Sequence, residues 1–105
     1  MLENEEASIV FNLVRDFVED AKDRYPIVEA YLFGSWAYGA PREDSDIDVG
    51  LVWGEGASFE QEVQLLLDAQ RYSGRIETVV FEKGYFDSAR SSIVHDIKEK
   101  GIKIA

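Results

Sequence analysis

The chain of 105 residues carries 21 acidic against 11 basic side chains, a formal charge of −10, with 46% hydrophobic residues and no cysteine. Such acidity argues against DNA or RNA as the main partner, because neutralisation of phosphates by Lys and Arg supplies most nucleic-acid affinity; the missing cysteines exclude disulfides, thiol nucleophiles and thiolate-bound metals. No apolar run approaches a membrane span and the acidic start lacks the basic segment of a signal peptide, so a single cytoplasmic domain over residues 1–105 is expected, large enough for one packed core.

The first predicted element is a helix over residues 6–24. Val10, Leu13, Val14, Phe17 and Ala21 recur at helical spacing, and Arg15, Asp16, Glu19 and Asp20 fall outside that stripe. Tyr25-Pro26 ends it, since a proline disfavours helix at the residue before it. A strand over 27–33 then leads into Gly34 and Ser35. Gly34 permits a tight exit from the strand and close approach of a ligand, while Ser35 offers a hydroxyl and a backbone N–H at the start of a short helix through Trp36, Ala37 and Tyr38. Helix starts bind phosphate.

The next strand alternates strictly. Ile47, Val49, Leu51 and Trp53 point one way, and Asp46, Asp48 and Gly50 the other, so two carboxylates are aimed from one rigid face. Residues i and i+2 stand about 6.6 Å apart, close enough for both to reach a pair of divalent ions spaced roughly 3.5–4 Å apart, the geometry used for displacement at phosphorus. Like charges held this close favour a cation between them. Mg²⁺ prefers one or two carboxylates together with phosphate oxygens, so the turn and the acidic pair read as a metal–nucleotide site.

After a loop at 54–57, Ser58 and Gln61 predict a capping box that starts a helix reaching about residue 73, with Val63, Leu66 and Leu67 as its core side and Gly74 as its C-cap. A third strand, 75–81, places Ile76, Thr78 and Val80 on one face and Glu77, Val79 and Phe81 on the other. Glu77 is the one carboxylate inside this β-branched and apolar run. A last helix is predicted over 85–100 with Ile93, Val94 and Ile97 inward, Lys98 and Lys100 at its negative end and Gly101 as cap, followed by a short strand at 102–104. His95 has no Cys or His neighbour and reads as a surface residue. Trp36, Tyr38 and Trp53 could stack on a base, although packing is the commoner fate of such rings.

At Gly34-Ser35-Trp36-Ala37-Tyr38-Gly39 and Ser45-Asp46-Ile47-Asp48 the chain resembles the minimal nucleotidyltransferases of the DNA polymerase β-like superfamily, whose signature is Gly-Ser, a few residues, Gly, a polar loop and Asp-x-Asp on the next strand. Many members carry Arg where this chain has Trp36 and Tyr38. The close Asp96-Ile97-Lys98-Glu99-Lys100-Gly101 is also similar, so the resemblance covers nearly the whole length. It implies an α/β fold, a small mixed β-sheet carrying the acidic residues on an open face, with helices packed on the other.

The resemblance also implies a function. Asp46 and Asp48 would hold two Mg²⁺ ions, Gly34 and Ser35 would hold the nucleotide phosphates, and Glu77 would complete the metal site and activate the attacking hydroxyl, with Glu82 as the fallback. Arg42 would be a loop arginine near phosphate or in solvent. The substrate would be ATP and the product an AMP-modified acceptor. Stand-alone members typically serve as antitoxins to helical HEPN-type toxins, attaching AMP to a tyrosine in some cases. Two alternatives stay open: neutralisation by contact alone, and transfer to a small molecule such as an antibiotic. A homo-oligomer is compatible with either.

Overall fold

In the computed structural model, residues 5–39, 41, 45–54 and 56–105 are described. Helix α1 (Glu5–Lys22) buries Ala7, Val10, Val14, Phe17, Val18 and Ala21, which recur at three- and four-residue steps and so form one stripe. Glu5 and Glu6 in its first turn and Lys22 in its last match the helix dipole. Then come β1 (Ile27–Phe33), α2 (Ser35–Tyr38), β2 (Ile47–Trp53), α3 (Phe59–Tyr72), β3 (Ile76–Glu82), α4 (Lys83–Ser88), α5 (Ser92–Lys100) and β4 (Ile102–Lys103).

The four strands form one mixed sheet in the order β3-β2-β1-β4. β1 pairs antiparallel with β2 and with β4, while β2 and β3 run parallel across the α3 crossover. A parallel pair needs a crossover of a dozen or more residues, and the segment holding α3 supplies it. The alternation in β2 sorts its side chains as the sequence predicts. Ile47, Val49, Leu51 and Trp53 join α1, Leu65 and Ala69 of α3, and Ala30 and Leu32 of β1 in the main core.

The mixed α/β architecture agrees with the reading of the sequence, but the helices are not confined to one face. On the side of the sheet that carries Asp48 lies a second cluster of Phe33, Val52, Phe81, Phe86, Val94 and Ile97, which seats α4 and α5. Gly50 makes this approach possible: a Cβ there would lie 3.3 Å from Ile97 Cδ1 and 3.6 Å from Phe33 Cε1, so a larger side chain would push α5 outward. The acidic face is therefore roofed over its far half.

Four local expectations are corrected. The predicted helix over 85–100 is two helices, because Ala89 and Ser91 are extended and the Ser91 hydroxyl accepts the Val94 N–H at 3.3 Å, starting α5 afresh. Ile93 is 41% exposed rather than inward. In α3 the core side is Leu65, Asp68 and Ala69, whereas Val63, Leu66 and Leu67 are exposed. The capping box of Ser58 and Gln61 forms with both of its hydrogen bonds, but the C-cap is Ser73 and not Gly74.

The orientation of α3 follows from Asp68, which is 1% exposed. Its carboxylate accepts hydrogen bonds from Tyr25 Oη at 2.5 Å and Gln64 Nε2 at 3.3 Å, and Arg24 Nη1 lies 3.0 Å away. Burial pushes the Asp68 pKa up, but these donors and the charges of Arg24 and Arg71 outweigh it and hold the carboxyl below its ordinary range. A buried carboxylate with this many partners dictates which side of the helix faces inward.

Candidate active site

β1 ends at Phe33, and the chain turns at Gly34 with φ +75° and ψ −155° before α2 begins at Ser35. Only glycine adopts such a conformation readily. The N–H groups of Ala37 and Tyr38 bond back to the Gly34 carbonyl at 3.0 and 3.1 Å, closing the short helix. Ser35 is half-buried, and its hydroxyl has no hydrogen-bond partner among the described residues.

The sheet register carries the acidic residues. Asp48 pairs with Phe33 on one side and with Glu77 on the other, so Phe33, Asp48 and Glu77 form one row across β1, β2 and β3. Neighbouring strands lie about 4.8 Å apart. Asp46, two residues before Asp48, is exposed just ahead of β2, and Glu77 is exposed one residue into β3. Asp48 is half-buried; the backbone of Gly34 comes so close that a Cβ on that glycine would overlap the Asp48 carboxylate. The Gly34 turn and the Asp48 carboxylate are thus packed against each other.

The electrostatics follow from this packing. Burial, then the charges of Glu77 and Asp46, raise the Asp48 pKa above its ordinary value. Asp48 thus feels both neighbouring carboxylates, and among the described residues no salt bridge offsets its charge. Among the described residues no group of three or more His, Asp or Glu side chains already converges tightly enough to hold a metal ion. The donor set nevertheless fits Mg²⁺ in kind: hard carboxylate oxygens, carried on neighbouring strands and in want of positive charge.

Other candidates fall elsewhere. Glu82 follows Glu77 by five residues, so strand alternation puts it on the opposite face from Asp48, and it does not replace Glu77 there. Arg42 lies outside the described residues. Trp53 is fully buried and stacks on Tyr25 at 5.7 Å, and Trp36 is 2% exposed, so neither ring is presented to a base. Tyr38 is exposed, with Lys100 Nζ 5.7 Å from its ring. His95 is a surface residue of α5.

Two residues near the site, Trp36 and Arg75, meet in a contact that the sequence does not announce. Trp36 Nε1 donates to the Ser45 carbonyl at 3.2 Å, and Arg75 donates to the same oxygen from Nε at 3.3 Å and Nη2 at 3.0 Å. The guanidinium also lies over the Trp36 ring at 5.5 Å. A contact between residues 30 apart in sequence is set by the register of β2 against β3, and no local spacing announces it.

No helix among the described residues is long and apolar enough to cross a membrane. The family model of the nucleotidyltransferase domain matches residues 14–104, a span that contains the turn, the acidic pair and Glu77. A protein adenylyltransferase of Methanocaldococcus jannaschii is 24% identical over 99 residues, covering 90% of this chain and 98% of that protein. Among solved structures, a chain of a toxin–antitoxin complex with AMP-PNP superposes with a TM-score of 0.65 at 19% identity, covering 90% of this chain and 72% of that one. A chain of the complex between tri-AMPylated Shewanella oneidensis HEPN toxin and its MNT antitoxin does so with a TM-score of 0.62 at 15% identity, covering 94% and 71%. With its acidic row, its glycine turn and a family match over most of its length, the chain belongs to the nucleotidyltransferase domain family.

Proposed function

We propose that this protein transfers AMP from ATP to a hydroxyl of a protein acceptor, releasing pyrophosphate, and that the acceptor is a tyrosine of a HEPN-type toxin to which it is the antitoxin. The observation that supports the reading is the Phe33–Asp48–Glu77 row with Gly34 packed directly on Asp48, because a turn suited to phosphate then stands against the acidic row. The relative named as a protein adenylyltransferase, the complex with an ATP analogue and the AMP-modified toxin support the same chemistry and the same kind of partner.

In the reaction, the acceptor oxygen bonds to the α-phosphorus while the bond from that phosphorus to the α–β bridging oxygen breaks, and pyrophosphate leaves. Asp46 and Asp48 would hold Mg²⁺, with Glu77 as a further ligand. Bound there, Mg²⁺ supplies positive charge where the phosphoryl oxygens gain negative charge. The Gly34-Ser35 turn binds the β- and γ-phosphates through its backbone and the Ser35 hydroxyl. Glu77 accepts the proton of the acceptor hydroxyl. Asp48, between Gly34 and Glu77, couples phosphate binding to the reacting end of the row.

The test is incubation of the purified protein with α-labelled ATP, Mg²⁺ and a HEPN-type toxin, followed by mass spectrometry of the toxin. A mass gain of whole AMP units on tyrosine is the expected result. Toxin that is bound and silenced without any label would instead favour neutralisation by contact.

A further inference from the structure

One backbone oxygen joins the three segments that build the site. The Ser45 carbonyl, immediately before Asp46, accepts from the indole N–H of Trp36 and from two nitrogens of Arg75. Trp36 is the second residue of α2, next to Ser35. Arg75 stands two residues before Glu77. The return contact is also made: the Ile47 N–H donates to the Arg75 carbonyl at 2.8 Å, and the Ser73 hydroxyl accepts the Arg75 N–H at 3.1 Å. The backbone at Ser45 and Ile47, on either side of Asp46, is thereby held by α2 and by the entry to β3.

From this junction we infer that Arg75 and Trp36 are positioning residues that hold the Ser35 turn, the Asp46–Asp48 pair and Glu77 in one fixed arrangement through the Ser45 carbonyl. A guanidinium suits the task because its planar fork can aim two donors at one oxygen while its face lies on an aromatic ring. The indole is held by burial, so it cannot swing away from the carbonyl. Arg75 is half-buried and spends its donors on backbone and ring, not on a carboxylate. Its cation stands beside the acidic row without neutralising any member by a salt bridge, which leaves the carboxylates for an external cation.

The inference rests on the metal–nucleotide reading of the site, and the experiment separates the two. Arg75→Gln, Arg75→Lys and Trp36→Phe are compared with the unaltered protein by titration calorimetry against ATP with Mg²⁺ and against ATP in EDTA, and by melting of the ligand-free protein. Arg75→Gln should weaken Mg²⁺–ATP binding by about fivefold or more, the scale of one or two lost hydrogen bonds, and should leave metal-free ATP binding nearly unchanged. Arg75→Lys should fall in between, because an ammonium reaches the carbonyl but cannot fork or stack. Trp36→Phe should act in the same direction as Arg75→Gln; if it fails to fold, the two arginine variants carry the test. Unchanged Mg²⁺–ATP affinity in the arginine variants overturns the inference alone, as does an equal loss with and without Mg²⁺ that tracks a lower melting temperature. Absence of any Mg²⁺-dependent ATP binding in the unaltered protein overturns the reading of the site, and the inference with it.

Discussion

Gly34 lies directly against Asp48, so closely that a methyl group at position 34 would occupy the space of the carboxylate. Gly34 directly follows β1 and Asp48 lies in the adjacent β2, so their contact joins the turn to the acidic row. Gly34→Ala is therefore expected to act twice. The left-handed φ costs about 1 kcal/mol for any other residue, and the overlap must be relieved by moving Asp48 or opening the turn. Denaturant unfolding should show a loss of about 1–3 kcal/mol, and Mg²⁺–ATP binding should disappear. Gly84→Ala is the control: with nothing within 4 Å of its Cβ and a place in α4, it should be neutral or stabilise slightly.

Asp48→Asn should separate stability from function. Because burial and the neighbouring Glu77 and Asp46 raise the Asp48 pKa, the ionised carboxylate costs the folded protein stability at neutral pH. The amide removes that charge, so the ligand-free variant should melt at a higher temperature while AMP transfer is abolished. The sign follows from linkage: a carboxyl with a raised folded pKa is relieved as pH falls through that pKa, so the gain from Asp48→Asn should shrink in acid. A variant that melts lower than the parent at pH 7 would contradict the uncompensated-charge account.

How far the sequence alone led depends on how local each determinant is. The faces of β2, the start of α3 and the turn at Gly34 were legible because alternation, the Ser58–Gln61 box and the glycine act within a few residues. The inward face of α3 was not, because the helix has two apolar stripes and the choice between them is made by Asp68, a carboxylate whose partner Tyr25 is 43 residues away. The break between α4 and α5 was present as Ser91, a helix-starting residue inside an otherwise helical pattern. At the site, the row of Asp48 and Glu77 needed the strand register, which places the two side by side although alternation alone fixes only their faces. The arginine that grips Ser45 could not be read at all from its neighbours.

The buried Asp68 makes a pH prediction of opposite sign. Burial alone would raise its pKa, but the bonds from Tyr25 and Gln64 and the charges of Arg24 and Arg71 leave it lowered. Its ionised form therefore contributes stability above the unfolded-state pKa of about 3.9, and that contribution is lost as pH falls through this value toward the folded one. The Tyr25 phenol, whose pKa is pushed up to about 12 by burial and by the bond to Asp68, remains a donor throughout. Tyr25→Phe should cost about 1.5–3 kcal/mol at pH 7, the value of a hydrogen bond to a charged group. The deficit should narrow below pH 4. A cost that is constant from pH 7 to pH 3 would show that the lost bond never distinguished the ionised carboxylate.

Glu77 offers the sharpest division between binding and chemistry. It sits beside Asp48 in the parallel register and is exposed, so Glu77→Gln alters charge without disturbing the core. The amide keeps an oxygen for a cation but cannot take the proton of an acceptor hydroxyl. ATP binding with Mg²⁺ should persist in weakened form, while AMP transfer to the toxin falls by around 10²-fold or more, the usual scale for a lost general base. The Asp48 pKa should also move down, since one of the charges that raises it is gone, and a carboxyl NMR titration reads that shift independently of activity. Glu82→Gln, on the opposite face of β3, should change none of these quantities. Transfer at the parental rate in Glu77→Gln would remove the proton-accepting role from this residue. Loss of transfer with full protection of cells from the toxin would show that contact, and not AMP attachment, is what neutralises it.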